Sequence, residues 1–486
     1  MKRGKVYLVG AGPGEPDLIT VKGLKVLQQA DVVIYDYLVA KSILKYTKPE
    51  TEKICVDELD KEIYKNGFTK NQDKINQLMV EKAKKGKNVV RLKNGDPSIF
   101  GRMNEELEFL RKNNIAFRIV PGVTAATACA CYTGIPLTAR DISSTICITT
   151  GHEANLKHRS FVDFSKVAKI DTIILFMSVE TLNSVVEKII SNGKDKTTPV
   201  CVVSNISRIN QKTVVGNLDN IVEKVKKEKI SAPAIVIIGD VVKKEKDFNW
   251  FKKTKKVLFT GLSSERFFED GLIFHIPMIE IKPLKDYTEL DNWIKSLNVQ
   301  FSTHNEKIDW IFFTSRFGVY YFFERLFKLG FDTRILNGIK IAAIGYSTAN
   351  KLKEYGIIAD LVPKNECSEG LLEEFKDVIC SMFNAQCSMK ILLPRSDIAD
   401  KGLTEALKKL GCKVFSCVAY RNVMPENLPE IDFSFFDKII FSSPSTVRNF
   451  IKRYGKSPLE EIEIKAIGPV TKKELKKWVQ KKISLI

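Results

Sequence analysis

The residues that could do chemistry begin at the end of the first apolar run. Val6-Tyr7-Leu8-Val9 leads into Gly10-Ala11-Gly12-Pro13-Gly14-Glu15-Pro16-Asp17. Glycines between a strand and a helix let a ligand approach the backbone closely, and an acid after the next strand, Asp36, would complete a dinucleotide fingerprint. The spacing disagrees, because the third glycine of that fingerprint falls on Glu15 and two prolines stiffen the loop. This predicts a nucleotide-like site of another kind. Three more turn clusters follow in order: Asn94-Gly95-Asp96-Pro97, Pro121-Gly122-Val123-Thr124 and Gly134-Ile135-Pro136. In the second half, Thr314-Ser315, Gly345-Tyr346-Ser347, Ser442-Ser443 and Gly468-Pro469-Val470-Thr471 stand where strand gives way to helix. Such turns aim free N–H groups and a positive helix end at anions, so four of them could hold several carboxylates across a cleft. The same hydroxyls could equally cap helices.

Those residues require α/β supports. β-branched runs alternate with amphipathic stretches throughout, and 486 residues exceed one compact core. The charged segment 246–253 separates the apolar run Ala234–Gly239 from Val257–Thr260 and is predicted to be a linker. Beyond it the chain repeats itself. Asp309–Ser315 echoes Asp437–Ser443, and Ala343–Thr348 echoes Ala466–Thr471, which predicts two related lobes.

Composition narrows the function classes. Hydrophobic content of 44% is ordinary for globular protein, and no apolar run approaches the roughly 18 residues of a membrane helix. With no signal-peptide pattern at the N-terminus, a cytoplasmic enzyme is expected, without a membrane partner. The ten cysteines are dispersed with no Cys-x-x-Cys pair, and the four histidines lack metal-ligand spacing, so no metal site is expected. A net charge of +19 fits either an anionic partner or a lysine-rich solvated surface. No aromatic-interleaved basic stripe accompanies it, so nucleic acid is not expected as a partner.

Taken together and in order, the loops Gly10–Asp17, Val89–Arg102, Val120–Ala126 and Gly134–Arg140, with the closing Ser231–Gly239, resemble the tetrapyrrole methylase family, within it the uroporphyrinogen-III C-methyltransferases. The resemblance covers about residues 4–245 and implies a two-subdomain α/β fold that binds S-adenosylmethionine, releases S-adenosylhomocysteine, and works as a homodimer. It implies cofactor contacts at Pro13, Asn94, Gly95, Asp96, Ile99, Thr124, Ala125, Met177 and Ile206, with Asp36 as proton acceptor. Arg91, Lys93, Arg102 and Arg140 are candidates for the substrate's carboxylates. The family's Gly-Lys-Arg stretch is replaced near Val56–Lys61, leaving Lys61 or Lys65 to supply its proton donor. Phe176-Met177-Ser178 stands for the usual Tyr-Met-Gly, and Ile206 for a glycine.

From about residue 254 to 486 the chain resembles uroporphyrinogen-III synthase, through Phe313–Val319, Leu393–Ser396, Val418–Arg421, Phe441–Ser445 and Ala466–Thr471. This implies a two-lobed α/β fold, lobe one about 254–281 plus 422–486 and lobe two about 282–421, that closes hydroxymethylbilane with inversion of the last ring. Tyr420 matches the tyrosine assigned to leaving-group departure. Thr314, Ser315, Arg395, Ser442, Ser443 and Thr471 are expected to line the cleft. The domains predicted are thus 1–245 for the methyltransferase, a linker at 246–253, and 254–486 for the synthase. The product of the second is the substrate of the first, and two methyl transfers would give precorrin-2 for sirohaem or cobalamin. Gly261 replaces an arginine usual after the first strand, and the first lobe is short around Gly271–Pro277. These departures motivate an alternative in which the C-terminal unit binds a tetrapyrrole without turnover.

Overall fold

The computed structural model describes residues 4–58, 69–151, 162–264, 269–298, 307–381 and 389–485. They fall into two compact units, Met1–Lys256 and Val257–Ile486. In the first unit β1 (Val6–Gly10), β2 (Val32–Tyr35), β3 (Glu52–Cys55), β4 (Val89–Lys93) and β5 (Phe117–Val120) form a parallel sheet in the order β3-β2-β4-β1-β5. Strands β1 and β2 are apolar on both faces, as a sheet covered by helices requires. Val6, Leu8, Ile34 and Val89 pack with Met79, Val80 and Leu110, while Val9, Val33, Val90 and Leu92 pack with Leu27 on the opposite side. Parallel strands end at one edge, so the loops after β1, β2, β4 and β5 share that edge.

A second sheet follows: β6 (Ile146–Thr150), β7 (Thr172–Phe176), β8 (Pro199–Ser204), β9 (Lys212–Asn217) and β10 (Ala234–Ile238), ordered β6-β7-β10-β8-β9. β10 runs antiparallel to both β7 and β8. The segment predicted as a linker, 246–253, is instead folded. Asn249 caps the short helix Trp250–Lys253, Phe251 is buried, and Trp250 Nε1 donates to Cys131 O at 2.7 Å. The rings of Trp250 and Phe251 both lie against Tyr132, with centroids 5.3 and 5.4 Å away. Aromatic residues inside the lysine-rich run supply burial that its net charge conceals.

The second unit holds two further sheets. β11 (Lys256–Phe259), β12 (Leu272–His275), β13 (Glu280–Lys282), β14 (Trp310–Phe313), β15 (Lys340–Ala343), β16 (Lys390–Ser396), β17 (Lys413–Val423), β18 (Lys438–Phe441), β19 (Glu463–Ala466) and β20 (Ser484–Leu485) divide into the orders β12-β11-β18-β19-β20 and β13-β17-β16-β14-β15. The chain crosses from one sheet to the other between His275 and Glu280, and returns between Val423 and Lys438. β13 pairs antiparallel with β17 through Lys282 and Arg421, so Glu280 and Ile281 belong to the sheet of the second lobe. Among the described residues, no helix is long and apolar enough to cross a membrane.

Candidate active sites

In the first unit three loops at the sheet edge close on one another. Gly12 N donates to Gly95 O at 3.2 Å, and Gly95 N to Gly12 O at 2.8 Å. A Cβ on Gly10 would stand 2.6 Å from Gly95 O, so only glycine permits this approach. Asp96 braces the loops: its Oδ2 accepts from Gly122 N at 2.8 Å and its Oδ1 from Ser98 N at 2.8 Å. Burial pulls its carboxyl upward, but the Ser98 hydroxyl, together with those backbone bonds, holds it below the ordinary range. Thr124 caps the helix Ala125–Thr133, and the ideal Cβ direction of Gly95 points to Ala125 N at 3.7 Å.

The second sheet meets this assembly from the ends of β7 and β8. Glu15 N donates to Ser207 Oγ at 3.0 Å, and a Cβ on Gly14 would lie 2.8 Å from Ile206 O. The rings of Phe100 and Phe176 lie 5.1 Å apart, joining the turn that carries Asp96 and the half-buried Ile99 to the strand before Met177. Pro13, Asn94, Gly95, Asp96, Ile99, Thr124, Ala125, Met177 and Ile206 therefore belong to one group of interlocking loops. Ile206 enters it through its backbone, because its side chain packs in the core with Ala126 and Val203. Met177, Asn205 and Ser207 hold left-handed backbone (φ 49°, 51° and 62°), a strained state for non-glycine residues and one that clusters at ligand sites. Asn94 Oδ1 is buried with no hydrogen-bond partner.

Beside these loops lies a buried cluster of charge. Arg91 Nη2 pairs with Asp36, Arg91 Nε donates to Glu106 Oε1 at 3.0 Å, and Lys93 Nζ donates to the same oxygen at 2.8 Å. Glu106 is 0% exposed, and Arg91 and Lys93 are nearly so. This corrects the expectation that Arg91 and Lys93 meet substrate carboxylates. Val89, Arg91 and Lys93 alternate onto the face of β4 covered by the helices Thr69–Lys84 and Met103–Lys112, so both cations point inward. Arg102 and Arg140 are exposed. Burial would raise the Asp36 carboxyl, but Arg91 and Lys93 hold it below the usual range. Burial likewise lowers Lys93, and Arg91 adds to that. Lys61 and Lys65 lie outside the described residues.

Two participants escaped sequence reasoning. Glu106 carries only the signal of an acidic first helical turn after two strand cations. Glu15 is paired with the Tyr132 hydroxyl, and burial pushes its carboxyl up. Nothing local announces a contact across so long a stretch of chain.

In the second unit Tyr420, on β17, sits with its hydroxyl 2.8 Å from Ser315 Oγ. Ser315 caps the helix Arg316–Lys328, accepting from Gly318 N at 3.0 Å. The Tyr420 ring is buried and stacks on Tyr321. Burial pushes the phenol up, while hydrogen bonds with Ser315 and Ser396 pull it back. Thr314 is half-buried beside this pair. The equivalent turn in the other lobe has the same construction: Ser443 caps Pro444–Tyr454, in a capping box with Thr446. Ser442 is half-buried next to Gly261.

Two expected cleft residues turn inward instead. Arg395 directs Nη1 to Thr404 Oγ1 at 3.0 Å and Nη2 to Asp400 O at 2.5 Å, so it ties β16 to the helix Gly402–Lys409. Thr471 is buried within the helix Pro469–Leu475, on the face that packs on its sheet, while Val470 is the exposed residue of that turn.

Two family models match the chain: "Tetrapyrrole (Corrin/Porphyrin) Methylases" over residues 5–222 and "Uroporphyrinogen-III synthase HemD" over 269–484. A "Porphyrin biosynthesis protein HemD" of Ruminiclostridium josui is 34% identical over 98% of this chain and 94% of its own. A "Uroporphyrinogen-III C-methyltransferase" of Methanocaldococcus jannaschii is 45% identical over 49% of this chain and 97% of its own. Among solved structures, the uroporphyrin III C-methyl transferase of Thermus thermophilus is 33% identical, covering 49% of this chain and 94% of its own, with a TM-score of 0.42. The chain belongs to the family of porphyrin-biosynthesis enzymes that join a S-adenosylmethionine-dependent tetrapyrrole methylase to a uroporphyrinogen-III synthase.

Proposed function

We propose that the chain catalyses two successive steps. Its second unit closes hydroxymethylbilane to uroporphyrinogen III with inversion of the last ring, and its first unit methylates that product twice to give precorrin-2. The observation that carries the first step is the Tyr420–Ser315 hydroxyl pair. Closure requires hydroxide to leave a benzylic-like carbon, and Tyr420 gives the departing oxygen a proton. The N–H groups at the caps by Ser315 and Ser443 hold the acidic side chains of the substrate.

For the second step, the interlocked loops suit S-adenosylmethionine. Asn94 Oδ1, buried and unbonded, offers an acceptor, and the amide end of the helix after Thr124 offers donors. When bound, this cofactor supplies a methyl group on a sulfonium and leaves as S-adenosylhomocysteine. Pro13, Gly95, Asp96, Ile99, Ala125, Met177 and Ile206 hold it between the subdomains, largely through backbone groups. The pyrrole ring that takes the methyl is left positively charged, and Asp36 removes the proton whose loss discharges it. Arg102 and Arg140, exposed at the loop ends, bind substrate carboxylates.

Incubating the full chain with hydroxymethylbilane and S-adenosylmethionine tests both steps, with a dimethylated tetrapyrrole expected. If only the un-inverted ring isomer forms, the C-terminal unit is a binding module without turnover. We further propose a homodimer through the first unit. Phe117 and Ile119 on edge strand β5, and Ile146 and Ile148 on edge strand β6, are exposed, and apolar edge strands are ordinarily covered. Ile119→Lys with Ile148→Lys should convert the particle seen in light scattering to a monomer. A cytoplasmic setting suits ten dispersed cysteines with no Cys-x-x-Cys pair.

A further inference from the structure

We propose that Glu106 and Lys93 are positioning residues for the methyltransferase: acting through Arg91, their opposite charges fix the orientation of Asp36 and set the field it works in. The proposal rests on the reading of Asp36 as proton acceptor.

The geometry is a chain with Arg91 in the middle. Its guanidinium is a rigid planar fork, so anchoring one nitrogen fixes the direction of the others. Nε is anchored on Glu106 Oε1 at 3.0 Å, Nη1 faces Ile34 O and Leu92 O at 3.4 Å each, and Nη2 is left for Asp36. Glu106 is itself pinned by Lys93 Nζ at 2.8 Å and lies 3.5 Å from Gln72 Nε2. Asp36 is completed by Asn94 N at 3.4 Å, in the loop assigned to the cofactor. The base and the cofactor loop therefore share one frame.

The charges explain why so many are buried together. Asp36, Arg91, Glu106 and Lys93 sum to zero. Stability alone does not call for this arrangement, since apolar residues of similar volume serve a buried site as well or better. A base facing Arg91 and Lys93 without Glu106 would be a weaker base. Without Lys93, the cluster would carry excess negative charge and the Asp36 carboxyl would titrate at higher pH. Other ionisable groups near this turn are Asp57, whose Oδ2 accepts from Tyr37 N at 2.9 Å, and Arg208, which bonds Leu38 O. Both engage the backbone beyond Asp36, so among the described residues Glu106 and Lys93 are the groups joined to it through Arg91.

The test measures kcat/KM of the full chain for methylation of uroporphyrinogen III across acid to neutral pH. The variants are Lys93→Met, Glu106→Gln and the double variant, each checked for fold by circular dichroism and for S-adenosylhomocysteine binding. Asp36 must be ionised to act, so its titration sets the acid limb. Lys93→Met should move that limb to higher pH by roughly one unit and Glu106→Gln to lower pH by a similar amount, the effect expected of one nearby charge. The double variant restores neutrality and should return the limb to the parental position. Residues that merely support the fold would change rates without these opposed shifts, and limbs that stay in place in both single variants overturn the proposal. Should a single variant fail to fold, the ¹³C-carboxyl titration of Asp36, identified by its loss in Asp36→Asn, decides instead. A midpoint below that of an ordinary aspartate supports the cluster, and an ordinary or raised one overturns it. Asp36→Asn also separates the two ideas, because undiminished methylation by it would refute the role of Asp36 itself.

Discussion

Glu106→Ala should be among the most damaging single substitutions in the first unit, although the residue touches no surface. It leaves Arg91 and Lys93 buried with Asp36 as the one remaining carboxylate of the cluster, and Asp36 reaches Arg91 at the end away from Lys93. Breaking a buried ion pair from one side costs about 3–5 kcal/mol, mostly because the surviving charge is stranded. The cavity left by the side chain adds to this.

Hydrogen exchange followed by mass spectrometry suits a chain of two units, since each reports separately. The cost converts to roughly two to nearly four orders of magnitude faster exchange for the slowest amides of β1, β2 and β4. Amides of β14 and β16, in the second unit, should keep their parental rates and serve as the internal control. Glu106→Leu combined with Lys93→Leu removes an opposite pair and keeps Arg91 with Asp36, so most of the protection should return. The reasoning is refuted if Glu106→Ala leaves β4 within tenfold of the parent, or if the paired leucines lose as much as the single alanine. Either result would mean that water or local rearrangement solvates the stranded cations.

Tyr420→Phe should slow cyclisation of hydroxymethylbilane by about 10²–10⁴-fold, the usual worth of a positioned acid, while methylation of supplied uroporphyrinogen III proceeds at the parental rate. Asn94→Ala should weaken S-adenosylhomocysteine binding about tenfold in titration calorimetry, as expected for one lost hydrogen bond in a buried site. Asp36 also links stability to pH. Its folded carboxyl is held below its unfolded value of about 3.9, so its contribution is present above that pH and fades as pH falls through the folded value. The melting temperature of Asp36→Asn should therefore lie below the parent at neutral pH and converge with it in acid.

What the sequence made legible follows from how far each signal reaches along the chain. The interlocking loops of the first unit are local: glycine, proline and a capping threonine between strand and helix constrain the backbone within a few residues. Ser315 and Ser443 are legible for the same reason, since a cap is decided by the three residues after it. Side-chain direction is a longer-range matter. Arg91 and Lys93 look like substrate ligands because cations toward the end of a strand ordinarily face solvent. Whether they do depends on which face of β4 the helices cover and on Glu106, which lies on one of those helices. Arg395 is a similar case, as its partners Thr404 and Asp400 follow in a loop and helix whose path the motif does not encode.

The folded segment at 246–253 belongs with these cases. Its lysines mark a solvated face, but Trp250 and Phe251 find Tyr132, and Tyr132 in turn holds Glu15 in the opening loop. A run that composition marks as a spacer thus adds an outer layer behind the opening glycine loop. Motifs identify the backbone that meets a ligand, because that contact is built locally. The charge and aromatic contacts that set the chemistry of the site come from partners distant in sequence, and only the packed structure brings them together.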